Sequence, residues 1–401
     1  MNKQYVQWFE DEVLHHARWL SQSEYAPPAR MVVVDDSTSA DEAYRLACAG
    51  TSMLYRGDFH NARQLLQAIT RRIERTEHSS KQRQLKKAAH QSAKMVTEPT
   101  KTSQHIPSLF HQQRQAQSQR ARLLSRLLLV LDADYVSSLR RAPDVSAACV
   151  AAFGALDKAV DEACVLSFRD VQGALGAAGW RTKGVAIDGA GFSIFPHYGV
   201  FAPTRHEYVQ LLLDAPLPNH CDVAFDIGTG TGLLAIILAQ RGVKKVIATD
   251  LNPRALDCAR DNFARLTLSN VQLQAADLYP TDAPLAELIV CNPPWLPAKP
   301  TSPLEYAVYD ANSAMLRGFL QGAKQHLTEQ GEVWLILSDL AEHLHLRTRD
   351  ELLGWIQNAG LTVKYRLDTT PKHGRSQDTT DPLFAARSSE VTSLWCLNSL
   401  A

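Results

Sequence analysis

Two short segments of the sequence carry residue types and spacings that suit ligand binding and chemistry. The first is a glycine-rich turn over residues 226–232, with glycine at 228, 230 and 232, and the second is the tetrad Asn292-Pro293-Pro294-Trp295. Glycines without side chains let a ligand lie against the backbone where a helix begins. The amide oxygen of Asn292 is a hydrogen-bond acceptor, and the following prolines stiffen the backbone beside it. We therefore expect both segments at one active site.

The spacing of the glycines separates two kinds of nucleoside site. The dinucleotide pattern G-x-G-x-x-G, counted from Gly228, needs glycine at position 233, where the chain has Leu233. Asp250 ends the next apolar run, so its two oxygens can accept hydrogen bonds from both ribose hydroxyls of an adenosine. Asp277 can take the adenine amino group, but it also suits a helix cap or a solvated turn. Asp226 can contact the ligand or order the glycine turn instead.

Apolar strand-like runs alternate with helical runs from about residue 184 onwards, which predicts an α/β fold with a mostly parallel sheet. The predicted strands are 223–227, 245–250, 271–275, 287–292, 332–338, 361–367 and 391–397. The predicted helices are 233–241, 253–266, 313–326 and about 340–358. The last strand suits an antiparallel edge. Ligands of such sheets bind beyond the carboxyl ends of the strands, where both motifs fall.

The N-terminal half divides by composition into three parts. Residues 1–75 show helix-type spacing of apolar residues, and residues 121–190 contain apolar runs that fit amphipathic or buried helices. Residues 76–120 are rich in Gln, Ser, His, Lys and Arg, which is typical of a flexible linker or arm. This basic segment can follow a phosphate backbone by charge or serve as a solvated tether. We expect an α-helical N-terminal domain before a domain over residues 191–401.

The bulk composition excludes several classes of protein. The chain has 401 residues, 45% of them hydrophobic, and equal numbers of basic and acidic side chains, so its net charge alone does not indicate nucleic-acid binding. Its seven cysteines form no C-x-x-C pair, which disfavours a zinc site or a disulfide framework. We recognise no secretory leader and no apolar run of membrane-spanning length. We expect a cytoplasmic protein without a bound metal or membrane contact.

The two motifs, with Asp250 and Asp277 between them, resemble those of class I S-adenosylmethionine-dependent methyltransferases that modify planar amino nitrogens. The resemblance runs from about Phe192 to the C-terminus. It is closest in kind to release-factor glutamine methyltransferases and to adenine-N6 and guanine-N2 methyltransferases of RNA and DNA. It implies a Rossmann-like sheet and S-adenosylmethionine as the cofactor.

The resemblance also implies roles for individual residues. An exocyclic nitrogen shares its lone pair with a ring or carbonyl, so Asn292 and the Pro293 carbonyl would each accept one N–H and hold it in line with the methyl group. Pro294 would stiffen the loop, and Trp295 would offer a flat face for stacking. No general base is needed before transfer. The residues predicted to bind the cofactor are Asp226, Gly228, Thr229, Gly230, Gly232, Asp250, Leu251, Asp277, Leu278, Phe201, Pro203 and Thr204.

The sequence leaves the methyl acceptor open. Trp295 as a stacking platform, the basic arm and an added N-terminal domain favour a large substrate, an RNA or a ribosomal particle. A protein amide is the alternative, although release-factor methyltransferases typically have tyrosine in place of Trp295 and a shorter N-terminal domain. A small-molecule acceptor and a non-catalytic binding module are further alternatives. The intact Asn292, Asp250 and turn glycines argue against the last of these.

Overall fold

The computed structural model describes residues 4–92, 105–157, 162–371 and 377–400 of the chain. These residues form two compact units. The first unit comprises residues 1–104 and 111–178, and the second comprises 105–110 and 179–401. No helix in the described ranges is both long and apolar enough to cross a membrane. The four-part division of the chain by composition stays a prediction.

The first unit is built on a six-stranded mixed sheet. Its strands are β1 (Tyr5–Glu10), β2 (Val13–Trp19), β3 (Met31–Val34), β4 (Ser52–Tyr55), β5 (Leu127–Leu131) and β6 (Cys164–Ser167). Its helices are α1 (Ala40–Cys48), α2 (Phe59–Ser92), α3 (His105–Leu124), α4 (Ser146–Phe153) and α5 (Phe168–Lys183), of which α3 and α5 also contribute residues to the second unit. The strand order is β1-β2-β6-β5-β4-β3, with β3, β4 and β5 mutually parallel.

Helices are present in the N-terminal half, as was expected, but they accompany a six-stranded sheet that was not predicted. Residues 5–19 form a hairpin in which Val6 and Trp8 are buried on one face. Asp11 and Glu12 make its turn with φ of 49° and 64°, so the apolar pairs on either side only imitate helical spacing. Strand β5 is a short run of Leu and Val, and periodicity cannot distinguish such a buried strand from a helix.

The segment for which a flexible arm was expected is largely helical where it is described. Helix α2 continues to Ser92, and α3 begins at His105. Lys, Arg, Gln and Ala form helices well even though they bury little surface, so low hydrophobicity alone does not exclude a helix. The part of the expected arm over residues 93–104 lies outside the described residues.

The second unit contains the sheet that was predicted from the sequence. Its strands are β7 (Val185–Ala186), β8 (Ser193–Ile194), β9 (Val223–Ile227), β10 (Lys245–Asp250), β11 (Val271–Ala275), β12 (Ala286–Cys291), β13 (Leu327–Ser338), β14 (Leu361–Thr369) and β15 (Thr392–Ser399). Its further helices are α6 (Glu207–Asp214), α7 (Leu233–Gln240), α8 (Pro253–Arg265), α9 (Ala314–His326), α10 (Leu340–His343), α11 (Arg349–Asn358) and α12 (Phe384–Ser388).

The seven long strands of the second unit have the order β11-β10-β9-β12-β13-β15-β14. The five strands from β11 to β13 are parallel, and β15 is antiparallel to both of its neighbours, which confirms the predicted fold class for this unit. The single helix predicted over 340–358 is two helices, because Thr348 and Glu351 form a capping box that starts α11.

Helices cover both faces of this sheet. Helices α6, α7 and α8 pack on one face, and α9 and α11 pack on the other. Ala224 belongs to the first core and Phe225 to the second, so successive residues of β9 point to opposite faces. Burial on both faces leaves the ends of the strands as the accessible part of the sheet.

Candidate functional site

The strand register brings the predicted motifs to one edge of the second unit. Ile227, the last residue of β9, pairs with Thr249 of β10 on one side and with Cys291 of β12 on the other. The residues that follow these three positions are therefore neighbours across the sheet. They are Gly228, Asp250 and Asn292.

The three turn glycines share a backbone conformation that favours glycine but differ in what surrounds them. All have positive φ, of 72° at Gly228, 55° at Gly230 and 86° at Gly232. A Cβ at Gly232 would lie 2.5 Å from the Phe263 ring, so this glycine serves packing between α7 and α8. A Cβ at Gly228 would lie 2.8 Å from the methyl carbon of Met315. No atom lies within 4 Å of a Cβ at Gly230, so the backbone is open there.

Asp226 stabilises the glycine turn through hydrogen bonds of its buried carboxylate. One oxygen of its fully buried carboxylate accepts hydrogen bonds from Thr229 Oγ1 at 2.6 Å and from the Ala235 backbone N–H at 3.0 Å. Its other oxygen, Oδ1, has no hydrogen-bond partner in the described part of the chain. Burial raises the pKa of this carboxyl to about 7. These contacts support the structural alternative for Asp226, and its contact with a cofactor stays a prediction.

Asp250 connects the ends of two strands. Its Oδ2 accepts the Gly230 backbone N–H at 3.0 Å, and its Oδ1 accepts the Asn252 backbone N–H at 2.8 Å. Burial raises its pKa. Asn252 itself caps α8 through Arg254 N, so Asp250 is not consumed as the helix cap. The next residue, Leu251, is 72% exposed, which places an apolar side chain at the open edge.

The predicted residues after β11 differ in exposure. Asp277 is exposed, whereas Leu278 is partly buried with φ of 70°. The carbonyl of Leu278 accepts a hydrogen bond from Thr249 Oγ1 at 2.5 Å, which ties this loop to the end of β10. The loop is therefore fixed by its backbone, and the Asp277 carboxylate remains available for the predicted contact with a base.

The tetrad after β12 is organised by its tryptophan. The indole Nε1–H of Trp295 donates to Asn292 Oδ1 at 2.8 Å. The indole ring is partly buried against both cores of the sheet, and Pro293 is buried. The guanidinium carbon of Arg205 lies 4.8 Å from the ring centroid, so a cation covers one face of the expected stacking platform.

Arg205 is a site residue that the sequence did not reveal. Its guanidinium is held by Glu207 at 2.6 Å and by Glu390 at 3.0 Å, from elements far apart in the chain. A single arginine before a helix gives no signal of such a contact. The predicted residues just before it are an exposed Phe201, a buried Pro203 and an exposed Thr204. Their closure over a cofactor stays a prediction.

Asp310 is a second residue with a role that sequence reasoning missed. Its carboxylate accepts the backbone N–H groups of Met315 and Leu316 at 3.1 Å each. It thus starts helix α9 after two residues with left-handed backbone. This start places the side chain of Met315 against Gly228.

The edge as a whole fits a nucleoside cofactor. The open backbone at Gly230 leaves space for a ligand. The Asp250 carboxylate has acceptors for the two hydroxyls of a ribose, and the exposed Leu251 offers an apolar surface for a flat base. The start of α7, immediately after the turn, adds the positive end of a helix dipole. Asn292 then supplies an acceptor for an amino group at the neighbouring strand end.

Comparison with known proteins identifies the same region. The family model described as "Methyltransferase small domain" matches residues 191–365. A provisionally named protein N5-glutamine methyltransferase of Methanocaldococcus jannaschii is 30% identical over 162 residues, 39% of this chain and 80% of the relative. The release factor glutamine methyltransferase of Cereibacter sphaeroides is 32% identical over 137 residues, 31% of this chain and 49% of the relative.

A third relative has a different acceptor in its name. The tRNA1(Val) (adenine(37)-N6)-methyltransferase of Cytophaga hutchinsonii is 31% identical over 131 residues, 31% of this chain and 54% of the relative. The chain thus spans four fifths of the first relative and about half of the other two. The names of all three describe methyl transfer, with glutamine in two and adenine in the third.

Proposed function

Because this chain belongs to the methyltransferase small domain family of class I S-adenosylmethionine-dependent methyltransferases, we propose that it methylates an exocyclic amino nitrogen of an RNA base. The observation that carries the proposal is the arrangement of Asn292, Trp295 and Arg205. An amide oxygen stands beside an aromatic plane, and a cation covers one face of that plane. This arrangement suits an acceptor that is flat and carries an amino group.

The chemistry requires the chain to orient a weak nucleophile. When bound, S-adenosylmethionine supplies an electrophilic methyl group on a sulfonium sulfur. Asn292 Oδ1 and the Pro293 carbonyl would accept the two N–H bonds of the acceptor and turn its lone pair towards the methyl carbon. The nitrogen forms the new N–C bond as the C–S bond breaks with its electrons returning to sulfur. The proton leaves the cationic nitrogen to water, so no side chain has to act as a base first.

The tryptophan supports this role of Asn292 beyond stacking. An indole N–H is a donor only, so it faces the oxygen of the Asn292 amide and would clash with the amino end after a flip. A carbonyl oxygen has two lone pairs, and one remains for the acceptor amino group. Trp295 thus fixes which end of the Asn292 amide meets the acceptor.

The charges of two helices favour RNA over protein. Helix α2 carries eight Lys or Arg and two Glu, and α3 carries three Arg and no acidic residue. Clustered basic side chains attract a phosphate backbone whatever its sequence. A protein amide is the second candidate, because the relative of which this chain spans four fifths is named for glutamine N5.

The test is transfer of a labelled methyl group to separated cell fractions. Radiolabelled S-adenosylmethionine and the full chain are incubated with RNA, ribosomal subunits and protein from a strain without the gene. We expect label in an RNA fraction and on an amino-methylated base after digestion, with none for Asn292→Ala. Label recovered as methylglutamine from digested protein would show that the acceptor is a protein amide, the second candidate, and not RNA. Label in no fraction would contradict both.

A further inference from the structure

The first unit contains a polar cleft that the proposed methyl transfer does not use. Its volume is about 220 Å³, and it lies beside the start of β4, the end of β6 and the last turn of α3. Four serine hydroxyls and two guanidinium groups line it, from Ser21, Ser52, Ser125, Ser167, Arg122 and Arg126. All of these groups can donate hydrogen bonds, and the arginines are positively charged.

A third arginine adds to this concentration of charge. Arg126 Nη1 donates to the Gly50 carbonyl at 2.5 Å, and Arg30 Nη2 donates to the Ala49 carbonyl at 2.6 Å, just beyond α1. A Cβ at Gly50 would lie 3.6 Å from Arg30 Nη2 and 3.8 Å from Arg126 Nη2, so both guanidiniums border this glycine. Each carbonyl bond uses part of a guanidinium that has five N–H donors.

Within the described part of the chain, these arginines lack a neutralising carboxylate. Among the described residues, no acidic group forms an ion pair with Arg30, Arg122 or Arg126, although many other arginines of the chain are paired. Burial and the repulsion of Arg122 and Arg30 lower the pKa of Arg126. The unit therefore keeps three like charges close together, an arrangement that an anion would stabilise.

The one carboxyl group that lines the cleft is engaged elsewhere. Asp170 accepts hydrogen bonds from Ser167 and from the Gln22 backbone, and burial raises its pKa. Within the described ranges it forms no ion pair with either arginine of the cleft. It therefore does not replace an anionic ligand.

The part of the cleft lining between Trp19 and Tyr25 is held in place by hydrogen bonds. Trp19 Nε1 donates to the Tyr25 carbonyl at 2.7 Å, and the Tyr25 backbone N–H donates to Ser21 Oγ at 3.1 Å. The guanidinium carbon of Arg122 lies 5.8 Å from the Tyr25 ring centroid, and this contact restrains the exposed Arg122 side chain. The cleft is thus formed before a ligand arrives, which lowers the entropic cost of binding.

We propose that this cleft of the first unit binds a phosphate group, with Arg122 and Arg126 as charged donors and Ser21 and Ser52, whose hydroxyls only accept within the described part of the chain, as neutral donors. Guanidinium forks match the oxygens of phosphate, and hydroxyls complete its hydrogen bonds. As a phosphodiester of the acceptor RNA, this ligand rests on the proposed function. As a free or nucleotide phosphate, it does not.

The experiment measures RNA and phosphate binding by the full chain with matched variants. Arg122→Gln removes the charge of an arginine whose side chain forms no hydrogen bond in the described part of the chain. Arg126→Gln removes the charge of the arginine that also donates to the Gly50 carbonyl. Arg63→Gln removes one of the α2 charges that attract RNA without a defined site, on the exposed side of the helix and outside the cleft, and it is the control for loss of one such charge. Anisotropy of a labelled RNA oligonucleotide over a salt series gives affinity and slope, and equilibrium dialysis with labelled inorganic phosphate and a mononucleotide gives binding of the small anions.

We expect Arg122→Gln to lower RNA affinity about tenfold at low salt and to reduce the salt slope by roughly 0.7–0.9, whereas Arg63→Gln changes both less. Phosphate binding should fall in the same variant with unchanged thermal unfolding. Loss of phosphate or mononucleotide binding with RNA affinity unchanged would support the cleft and assign it to a small anion. Equal behaviour of Arg122→Gln and Arg63→Gln in every arm would overturn it. Methyl transfer measured on the same samples reports on the proposed function separately.

Discussion

The two units of this chain differ in the space around a glycine in the turn after a central parallel strand. In the first unit, the turn after β4 contains Gly57, where a Cβ would overlap Asp36 Oδ1 and lie 2.8 Å from the Tyr55 hydroxyl. In the second unit, the turn after β9 contains Gly230, where a Cβ would meet no atom within 4 Å. One glycine makes room for the protein's own side chains, and the other leaves room for a ligand.

The aspartates at the strand ends, Asp36 in the first unit and Asp250 in the second, also differ in their contacts. In the first unit, Asp36 accepts hydrogen bonds from the Tyr55 hydroxyl and the Asp58 backbone and pairs with Arg140, which closes the edge with internal contacts. In the second unit, Asp250 bonds only backbone N–H groups at the turn, and an exposed Leu251 follows it. A parallel sheet thus provides the position for a site, and the side chains decide whether that position stays open.

The largest expected effect is loss of chemistry at the open edge. Asn292→Ala should lower kcat by about 10²–10³-fold, because an acceptor that holds the reacting group is removed, and should leave S-adenosylmethionine affinity nearly unchanged. Single-turnover methyl transfer checks the rate, and calorimetry checks the affinity. Asn252→Ala, which removes the cap of α8 at the neighbouring strand end, is the matched control. An equal fall in kcat for both variants would contradict a specific role of Asn292.

The two glycines give the most direct test of the comparison. Gly57→Ala should destabilise the first unit by about 1–3 kcal/mol through overlap with Asp36 and leave cofactor affinity unchanged. Gly230→Ala should weaken cofactor binding roughly tenfold or more, because the added methyl enters the open edge, and should cost about 1–2 kcal/mol for φ of 55°. Urea unfolding and calorimetry separate the two quantities. Weaker cofactor binding in Gly57→Ala would break the comparison.

A smaller effect is expected at the aromatic residue of the tetrad. Trp295→Phe keeps a ring under Arg205 but removes the hydrogen bond to Asn292, worth about 1 kcal/mol, so kcat should fall about 5–10-fold with little change in KM. Steady-state kinetics with the identified RNA check this split. Trp180→Phe, at an exposed tryptophan, controls for loss of an indole. A rise in KM at unchanged kcat would assign Trp295 to stacking alone.

The smallest effect concerns two carboxylates, the exposed Asp36 of the first unit and the buried Asp226 of the second. Hydrogen bonds from Tyr55 and the Asp58 backbone lower the pKa of Asp36 to about 2, so its contribution to stability is present above pH 4 and is lost as pH falls towards 2. Burial raises the pKa of Asp226 to about 7, so its contribution is present below pH 4 and is lost as pH rises through 7.

Asp226→Asn should therefore remove a fall in Tm of a few degrees between pH 5 and pH 8 and leave the acid limb unchanged. Asp36→Asn should change the acid limb instead. Thermal unfolding of both variants over pH 3–9 measures the two limbs. We assign a fall in the wild-type Tm between pH 5 and pH 8 to Asp226. A rise in the wild-type Tm over this range that is absent from Asp226→Asn would contradict this assignment.

The sequence predicted the open edge well because its signals are local. Strands β9, β10 and β11 have the bounds that their apolar runs indicate, and the glycine turn and the tetrad fall where parallel strands end. The hairpin of β1 and β2 was missed because its apolar pairs flank a two-residue turn and imitate helical spacing. Unlike the glycine turn and the tetrad, the pairing of a strand with a partner from another part of the chain leaves no signal in the local sequence.

Contacts between distant parts of the chain were also beyond the sequence. Arg205 and Trp295 are 90 residues apart, and nothing in either segment indicates that a guanidinium covers the indole. The hydrogen bond from Trp295 to Asn292 spans three residues, yet it depends on the backbone of the loop after β12. The backbone N–H groups that the Asp310 carboxylate accepts lie five and six residues further on, and nothing in the sequence indicates that the chain turns back to bring them there.

The central claim is that the open strand ends of the second unit bind S-adenosylmethionine through Asp250. A calorimetric titration of the wild-type chain and of Asp250→Ala with S-adenosylmethionine tests it most directly. We predict one site in the wild-type chain and about 10–100-fold weaker binding in the variant, because two hydrogen bonds to a charged group are lost. No heat of binding in the wild-type chain, or equal affinity in a folded Asp250→Ala, would contradict the claim.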